Sequence, residues 1–232
     1  MQAFFDTVRA KFGKLNTSQV DGINVLLDAT RALTVRHRAY VLATAWHETA
    51  RTMQPIYERG PKSYFSKYDG RQSLGNTLRG DGYRFRGRGY VQITGRRNYA
   101  KAGLLCGVDM VANPDLALNQ AHAAKIIVHG MTNGWFTGKE LSDYTTFKEM
   151  RRTVNGTDKA DMIAGYATTF LAAIATTPAI ATNAPKTSNP IPATPLPKPP
   201  ETPPAAQIPA PATGFWPWLA SWLAALFTKP AA

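Results

Sequence analysis

At 232 residues the chain is long enough for one folded domain with an appendage, and too short for two full-sized domains. A net charge of +12 and a pI near 10.0 exclude a charge-balanced surface and point to polyanionic partners: nucleic acid, anionic membrane or acidic cell-wall polymer. The single cysteine, Cys106, excludes an internal disulfide, so the fold does not depend on an oxidising compartment, and the thiol reads as a small buried hydrophobe.

The elements follow in chain order. Met1–Asp6 carry no basic segment followed by an apolar run, so synthesis and folding in the cytoplasm are expected. Residues 1–15 read as a short amphipathic helix with Phe4, Phe5, Val8 and Phe12 on one side, ended by Gly13. A second helix starts near Ser18, where Ser18 and Asp21 have the spacing of a capping box, and continues through Val20, Ile23, Leu26 and Leu27. A third runs from about Thr34 to Ala50 with Ala39, Leu42, Ala43 and Trp46 inward, and Pro55 forbids continuation past Gln54.

Residues 55–90, rich in Gly, Arg, Tyr and Ser, read as a long functional loop with a short β-hairpin. Val91–Thr94 fits a short strand or a helix entry, and a helix follows from Asn98 to about Leu105. Asn113-Pro114 opens another, through Leu116, Leu118, Ala121, Ala124, Ile127 and Val128, broken by Gly130 and Gly134. Asp143–Val154 is read as a helix stopped by Asn155-Gly156, and Asp158 as the cap of a last one, from Lys159 to about Ala175, packed through Met162, Ile163, Tyr166 and Phe170. The expected fold is a mainly α domain over residues 1–180.

Beyond it the composition changes. Residues 184–213 hold eleven prolines in thirty positions, the signature of a disordered, extended linker that could span roughly 90 Å. Residues 214–230 carry three of the five tryptophans and read as a short apolar helix. About 20 Å of helix is short of a hydrocarbon core of roughly 30 Å, so an interfacial, membrane-contacting tail is the expectation. A partner-binding helix and a plug in the core are the alternatives.

The chemistry concentrates between Ala45 and Tyr99. From residue 59 to residue 101 there are eleven Lys/Arg and two acids, so a positive field is expected around any site in this stretch. Glu48 and Glu58 are the only glutamates before residue 140. Glycosidic hydrolysis needs one carboxyl group to protonate the leaving oxygen and another to activate water. Glu48, on a helix end beside Ala43, Ala45 and Trp46, has the apolar setting that suits an acid; Glu58, among Tyr57, Arg59 and Lys62, has the cations that suit a base. Ten residues with a proline between them put the two on different elements, able to face each other across a cleft. A salt-bridged surface pair is the competing reading. His47 is no zinc ligand of the His-Glu-x-x-His type, because the second histidine is missing and His37 lies ten residues back; it reads as structural. Arg86 and Arg88 either brace the loop or touch substrate.

Trp46-His47-Glu48-Thr49, then Glu58, then Phe85-Arg86-Gly87-Arg88-Gly89-Tyr90-Val91-Gln92-Ile93-Thr94 and Asn98-Tyr99 resemble glycoside hydrolase family 19, over about residues 4–175. That family contains plant-type chitinases and phage endolysins. Tyr68-Asp69-Gly70-Arg71, Leu74-Gly75-Asn76 and Gly80-Asp81-Gly82-Tyr83-Arg84 are similar to the phage branch. The resemblance implies a lysozyme-like helical fold with Glu48 as general acid and Glu58 as general base of an inverting reaction. Thr94 would help hold the attacking water. It also implies that Gln92 and Asn98 bind sugar N-acetyl or hydroxyl groups, with Asn155, Arg97 and Tyr90 as further substrate-binding candidates. Arg97 stands where plant enzymes carry an aromatic and suits an acidic, peptide-bearing glycan.

The leading expectation is therefore an endolysin: a monomer, stored in a host cytoplasm, that cleaves the β-1,4 N-acetylmuramic acid–N-acetylglucosamine bond of peptidoglycan glycan strands. It requires no cofactor, no metal and no nucleic acid. A chitinase on the same scaffold is the second reading. The third is a nucleic-acid binder using Arg86 and Arg88, with Tyr83, Phe85 and Tyr90 as stacking groups.

Overall fold

Helix α3 (Val35–Glu48) is the axis of the structure. Every residue from Arg38 to Thr49 is buried, so this helix is covered on all sides rather than on one stripe. Ala39, Ala43 and Ala45 make that possible, because small side chains let neighbouring helices come close. Thr34 caps it by accepting from the His37 backbone N–H. The computed structural model describes residues 1–177; the expected linker at 184–213 and apolar helix at 214–230 lie outside the described residues. Among the described residues no helix is long and apolar enough to cross a membrane.

Around α3 pack α1 (Gln2–Phe12), α2 (Thr17–Ala29), α7 (Gln120–Thr132) and α8 (Ala160–Ala175), while α6 (Arg96–Cys106) leans on α7. Phe12 of α1 stacks on Trp46 of α3 at 4.8 Å and meets Phe170 of α8 at 5.5 Å, so three helices share one aromatic contact. Gly13 ends α1 at φ +84°, as expected from the sequence. The domain is mainly α, as read.

Several local expectations are corrected. The capping box of α2 is Asn16 with Gln19, not Ser18 with Asp21: Asn16 Oδ1 accepts from the Gln19 N–H and Gln19 Oε1 from the Asn16 N–H, both at 2.9 Å. The helix expected from Asn113 is two elements, a 3₁₀ turn at Pro114–Leu118 and then α7. Asn119 is extended and accepts from the N–H groups of Ala121 and His122, which starts a new helix. Gly130 does not break α7; the Phe136 ring covers it so closely that a β-carbon would lie 2.0 Å from Cζ. Asp143–Val154 is no α-helix but two 3₁₀ turns, Leu141–Asp143 and Glu149–Thr153, because the Thr146 hydroxyl bonds Glu149 and competes with helical pairing. Helix α8 opens on Lys159, left-handed at φ +57°, without a side-chain cap, so Asp158 does not cap it. Met162 points outward while Ile163 and Phe170 are buried.

Residues 58–87 form a lobe rather than a hairpin loop. Its neck is a two-residue antiparallel pairing of β1 (Ile56–Tyr57) with β2 (Arg88–Gly89), extended by the Glu58 N–H on the Gly87 carbonyl at 2.8 Å. Inside are two single-turn helices, α4 (Lys62–Phe65) and α5 (Asp81–Arg84), around a small core of Phe65, Tyr68 and Leu74. Asp81 clamps the lobe to α6 through two bonds from Arg96, at 2.6 and 3.1 Å. Ile93 bridges back to Arg88, so Val91–Thr94 is a tight turn closed on the neck and not a helix entry.

The connector from α3 to the lobe is strained. Ala50, Arg51 and Met53 are left-handed, at φ +50°, +69° and +55°, a conformation costing roughly 1–2 kcal/mol each without glycine. Bonds to its carbonyls hold it: Gln19 donates to Arg51 and Tyr90 to Met53. Gly22 of α2 lies against the same carbonyl, and a β-carbon there would be 1.8 Å from Met53 O. Gly22→Ala should therefore lower stability by about 2–3 kcal/mol in urea unfolding. Gly165→Ala, on the open face of α8 with nothing within 4 Å, should raise it by about 0.5–1 kcal/mol. Equal stabilities for the two variants would mean that α2 does not hold the connector.

Candidate active site

Glu48 closes α3 and is 1 % exposed. A buried carboxylate needs a cation or a proton, and Arg151 supplies the cation: Nη1 stands 2.6 Å from Glu48 Oε1, and both side chains are at most 2 % exposed. Arg151 is itself held by its Nε on the Asp158 carbonyl at 3.0 Å. The expectation of a purely apolar setting for Glu48 is corrected by this pair. Glu48 Oε2 and His47 Nε2 are buried without a hydrogen-bond partner among the described residues. Burial lowers the His47 pKa below the ordinary histidine value, favouring a neutral ring beside the pair.

Glu58 leaves the neck at the start of the lobe and is 4 % exposed. The Gly87 N–H donates to Oε2 at 2.9 Å and the Tyr68 hydroxyl lies 3.4 Å from Oε1. The expected lowering of its pKa is reversed. Burial raises the carboxyl above 4.5, and the Gly87 N–H, Lys67, Tyr68 and Arg86 offset only part of that. Burial, then the negative charge of Glu58, holds the Tyr68 phenol well above its ordinary range, so it stays a donor.

Gln92 and Thr94 belong to this second cluster. Gln92 is left-handed at φ +54° and buried, and its amide nitrogen donates to the Ile56 and Gly89 carbonyls, one on each strand of the neck. A β-carbon on Gly87 would lie 2.8 Å from Gln92 Oε1 and 3.1 Å from Glu58 Cβ, so only glycine lets Glu58 and Gln92 approach the same turn. The Thr94 hydroxyl donates to the Gln92 carbonyl at 2.9 Å, which leaves its lone pairs as acceptors. Asn98 donates to the Thr94 carbonyl at 2.8 Å, so its nitrogen is engaged in starting α6.

The remaining candidates are spread out. Asn155 is half-buried one turn past Arg151, with its backbone N–H on the Arg151 carbonyl. Arg97 is exposed and donates to the Gln72 carbonyl, tying α6 to the lobe. Tyr90 is fully buried and donates to Met53 O; its ring is a core prop, not a surface that meets substrate. Arg88 braces: it is buried and bonded to Asp115, Tyr99 and the carbonyls of Arg84 and Arg86. Arg84 likewise points into the Val111 and Ala112 carbonyls. Part of the basic run is thus internal scaffolding. A groove of about 740 Å³ between α2 and α7, lined by Val25, Leu105, Lys125 and His129, contains none of the candidate residues.

Sequence reasoning missed Arg151, Tyr68 and Gly87. A signal for the first existed: an acid on a helix apolar on every side requires a buried cation somewhere, and Met150-Arg151-Arg152 adjoins the Val154-Asn155-Gly156 element already singled out.

Two buried carboxylates thus stand on separate elements, Glu48 at the end of α3 in the helical bundle and Glu58 where the lobe leaves its neck. No family model matches the chain. A Haemophilus influenzae protein described as glycosyl hydrolase family 19 domain-containing is 33% identical over 102 residues, 43% of this chain and 48% of that protein. The chain thus spans about half the length of the curated relative it matches. Among solved structures, chitinase C from Streptomyces griseus superposes with a TM-score of 0.55 at 20% identity, covering 74% of each chain. A bacterial family 19 chitinase does so at 0.53 and 21% identity, covering 74% of this chain and 92% of that one. The protein has the chitinase-like fold of glycoside hydrolase family 19.

Replacing Arg151 by Met strands the Glu48 charge and should cost about 3–5 kcal/mol in urea unfolding, most of it recovered in Glu48→Leu/Arg151→Met. An unchanged midpoint for the single variant would show the pair to be unimportant. Glu58 has the opposite signature. Its native pKa is raised, so the native state holds that proton more tightly than the unfolded chain, and wild-type stability declines as pH rises through and above the ordinary value of 4.5. The stability of Glu58→Gln relative to wild type should therefore increase between pH 4 and pH 8. A difference that is flat in pH would remove burial as the dominant effect.

Proposed function

We propose that this protein is a glycoside hydrolase that cleaves the β-1,4 bond between N-acetylmuramic acid and N-acetylglucosamine in bacterial peptidoglycan. The observation that carries the reading is the pair of differently held carboxylates on a family 19 fold: Glu48 on a buried arginine, Glu58 on a backbone N–H and a phenol. For the reaction Glu48 first takes up a proton on Oε2, the oxygen not bonded to Arg151, and gives it to the leaving glycosidic oxygen as the bond to the anomeric carbon breaks. Glu58 takes a proton from water as the water oxygen bonds to that carbon from the opposite face, giving inversion. Thr94 accepts a hydrogen bond from that water. Arg151 fixes Oε1 of Glu48, leaves Oε2 for the leaving oxygen, and stabilises the carboxylate formed as the proton departs. A raised Glu58 pKa makes it the stronger base.

Biologically, this is an endolysin: a monomer made in a host cytoplasm and acting on the wall after release, with residues 214–230 contacting membrane. Deleting residues 184–232 should abolish co-sedimentation with vesicles; unchanged sedimentation would sink the tail's role.

A chitinase is the second reading, favoured by the likeness to two chitinase structures. It predicts N-acetylglucosamine oligomers from chitin and little release from peptidoglycan. The nucleic-acid reading loses two of its three stacking groups, since Phe85 and Tyr90 are fully buried while Tyr83 is exposed, and Arg88 is paired inside.

The deciding experiment is muropeptide release and clearing of outer-membrane-permeabilised Gram-negative cells. Wild type should clear them; Glu48→Gln and Glu58→Gln, with helical circular dichroism intact, should each lose about 10²–10⁴-fold. The acid limb of wild-type kcat/KM should lie above pH 4.5, because the base must be ionised and its pKa is raised. Clearing by both variants at the wild-type rate would end this assignment.

A further inference from the structure

The lobe carries seven Lys/Arg between residues 58 and 87 against three acids. Asp69 accepts from the N–H groups of Gly80 and Gly82. Asp81 accepts from Thr77, Leu78 and Arg96, the last on α6. Glu58 is turned onto Gly87 and Tyr68.

Several of the cations stand over aromatic faces, among them Lys62, Arg71 and Arg84, and for Lys67 and Arg86 the charge so held also acts on Glu58. Lys67 Nζ stands 3.3 Å from the Tyr64 ring centre and 4.9 Å from that of Tyr68, whose hydroxyl reaches Glu58 Oε1. Arg86 stands 4.2 Å from the Tyr83 ring centre and 4.7 Å from that of Tyr57, and precedes Gly87, whose N–H holds Glu58 Oε2. One oxygen of Glu58 thus meets the tyrosine of a cation–aromatic pair, and the other meets the backbone N–H of the residue that follows a second cation so held. The fields of both cations reach Glu58, tempering the effect of its burial. A ring face positions a cation without cancelling its charge. Two positive charges so fixed are ready for an anion, and an uncharged N-acetylglucosamine polymer offers none.

We propose that Lys67 and Arg86 form a carboxylate subsite on the Glu58 side of the scissile bond, selecting a glycan that carries acid groups beside its sugar ring. This rests on the hydrolase reading above and names the residues that set its substrate. The carboxylate has two possible sources, the lactyl ether of the sugar or the attached peptide.

The test uses the full chain and three preparations of the same glycan strands. One keeps its stem peptides. In the second an amidase has removed them, freeing the lactyl carboxylates. The third is the second with its carboxylates methyl-esterified. Wild type should show a kcat/KM about tenfold lower, through KM, on the ester than on at least one of the acid forms. Preference for the peptide-free acid over its ester identifies the lactyl group; preference confined to intact strands identifies the peptide. Lys67→Met and Arg86→Gln should lose most of the discrimination and flatten the salt dependence. Lys67→Arg should keep it, as should Lys14→Met, which removes one exposed charge on another surface. Equal wild-type rates on acids and ester, or variants that fall equally on all three, overturn the subsite while leaving the hydrolase standing. No cleavage of any preparation overturns both.

Discussion

One buried ion pair ties this structure together. Glu48 and Arg151 are 103 residues apart and almost wholly excluded from water, and removing two such charges from solvent costs several kcal/mol each. That cost is offset only by close geometry, and the geometry dictates what surrounds it. Segment 149–153 must turn as 3₁₀ rather than α so that the guanidinium reaches inward and also caps the Asp158 carbonyl. Lys159 then takes a left-handed conformation to launch α8, which packs along α3. The catalytic candidate, the irregular segment and the last helix are one mechanical unit.

The second carboxylate is governed by the backbone. Glu58 is positioned by the Gly87 N–H, by a neck only two residue pairs long, and by Gln92, whose left-handed backbone lets one side chain bond both strands. Strained, non-glycine positions follow Glu48 at Ala50, Arg51 and Met53, and with Gln92 they bracket Glu58 in the chain. Such conformations persist only where surrounding contacts over-determine them, and here α2, Tyr90 and the neck do so. The two glutamates therefore differ by construction: a cation holds one, while burial dominates the other.

Much of this was legible from residue order. The helices with clear apolar periodicity, α1 to α3, α6 and α8, lie within a few residues of where the sequence puts them, α7 begins seven residues later than its stripe, and Pro55 separates the two glutamates onto different elements. The failures have a common origin. Ser18–Asp21 and Asn16–Gln19 are equally plausible boxes until the neighbouring chain selects one. Leu116, Leu118 and Ala121 share a helical stripe, yet Asn119 breaks it by capping. Gly130 looks like a breaker until Phe136 is seen to cover it. The Glu58 carboxyl is governed by desolvation, which the cations beside it in the sequence do not reveal.

By itself the sequence determined the class of fold, the two carboxylates and the concentration of positive charge near them. These depend on local spacing and composition, which a one-dimensional chain displays. Only the tertiary structure decided that Arg151 neutralises Glu48, that Tyr90, Arg84 and Arg88 are scaffolding, and that Lys67 and Arg86 remain as positive charges resting on rings. Those assignments turn on burial and on contacts between residues distant in the chain. The free energy of a charge is set by how much water and which counter-charges surround it, and neither exists until the chain has folded.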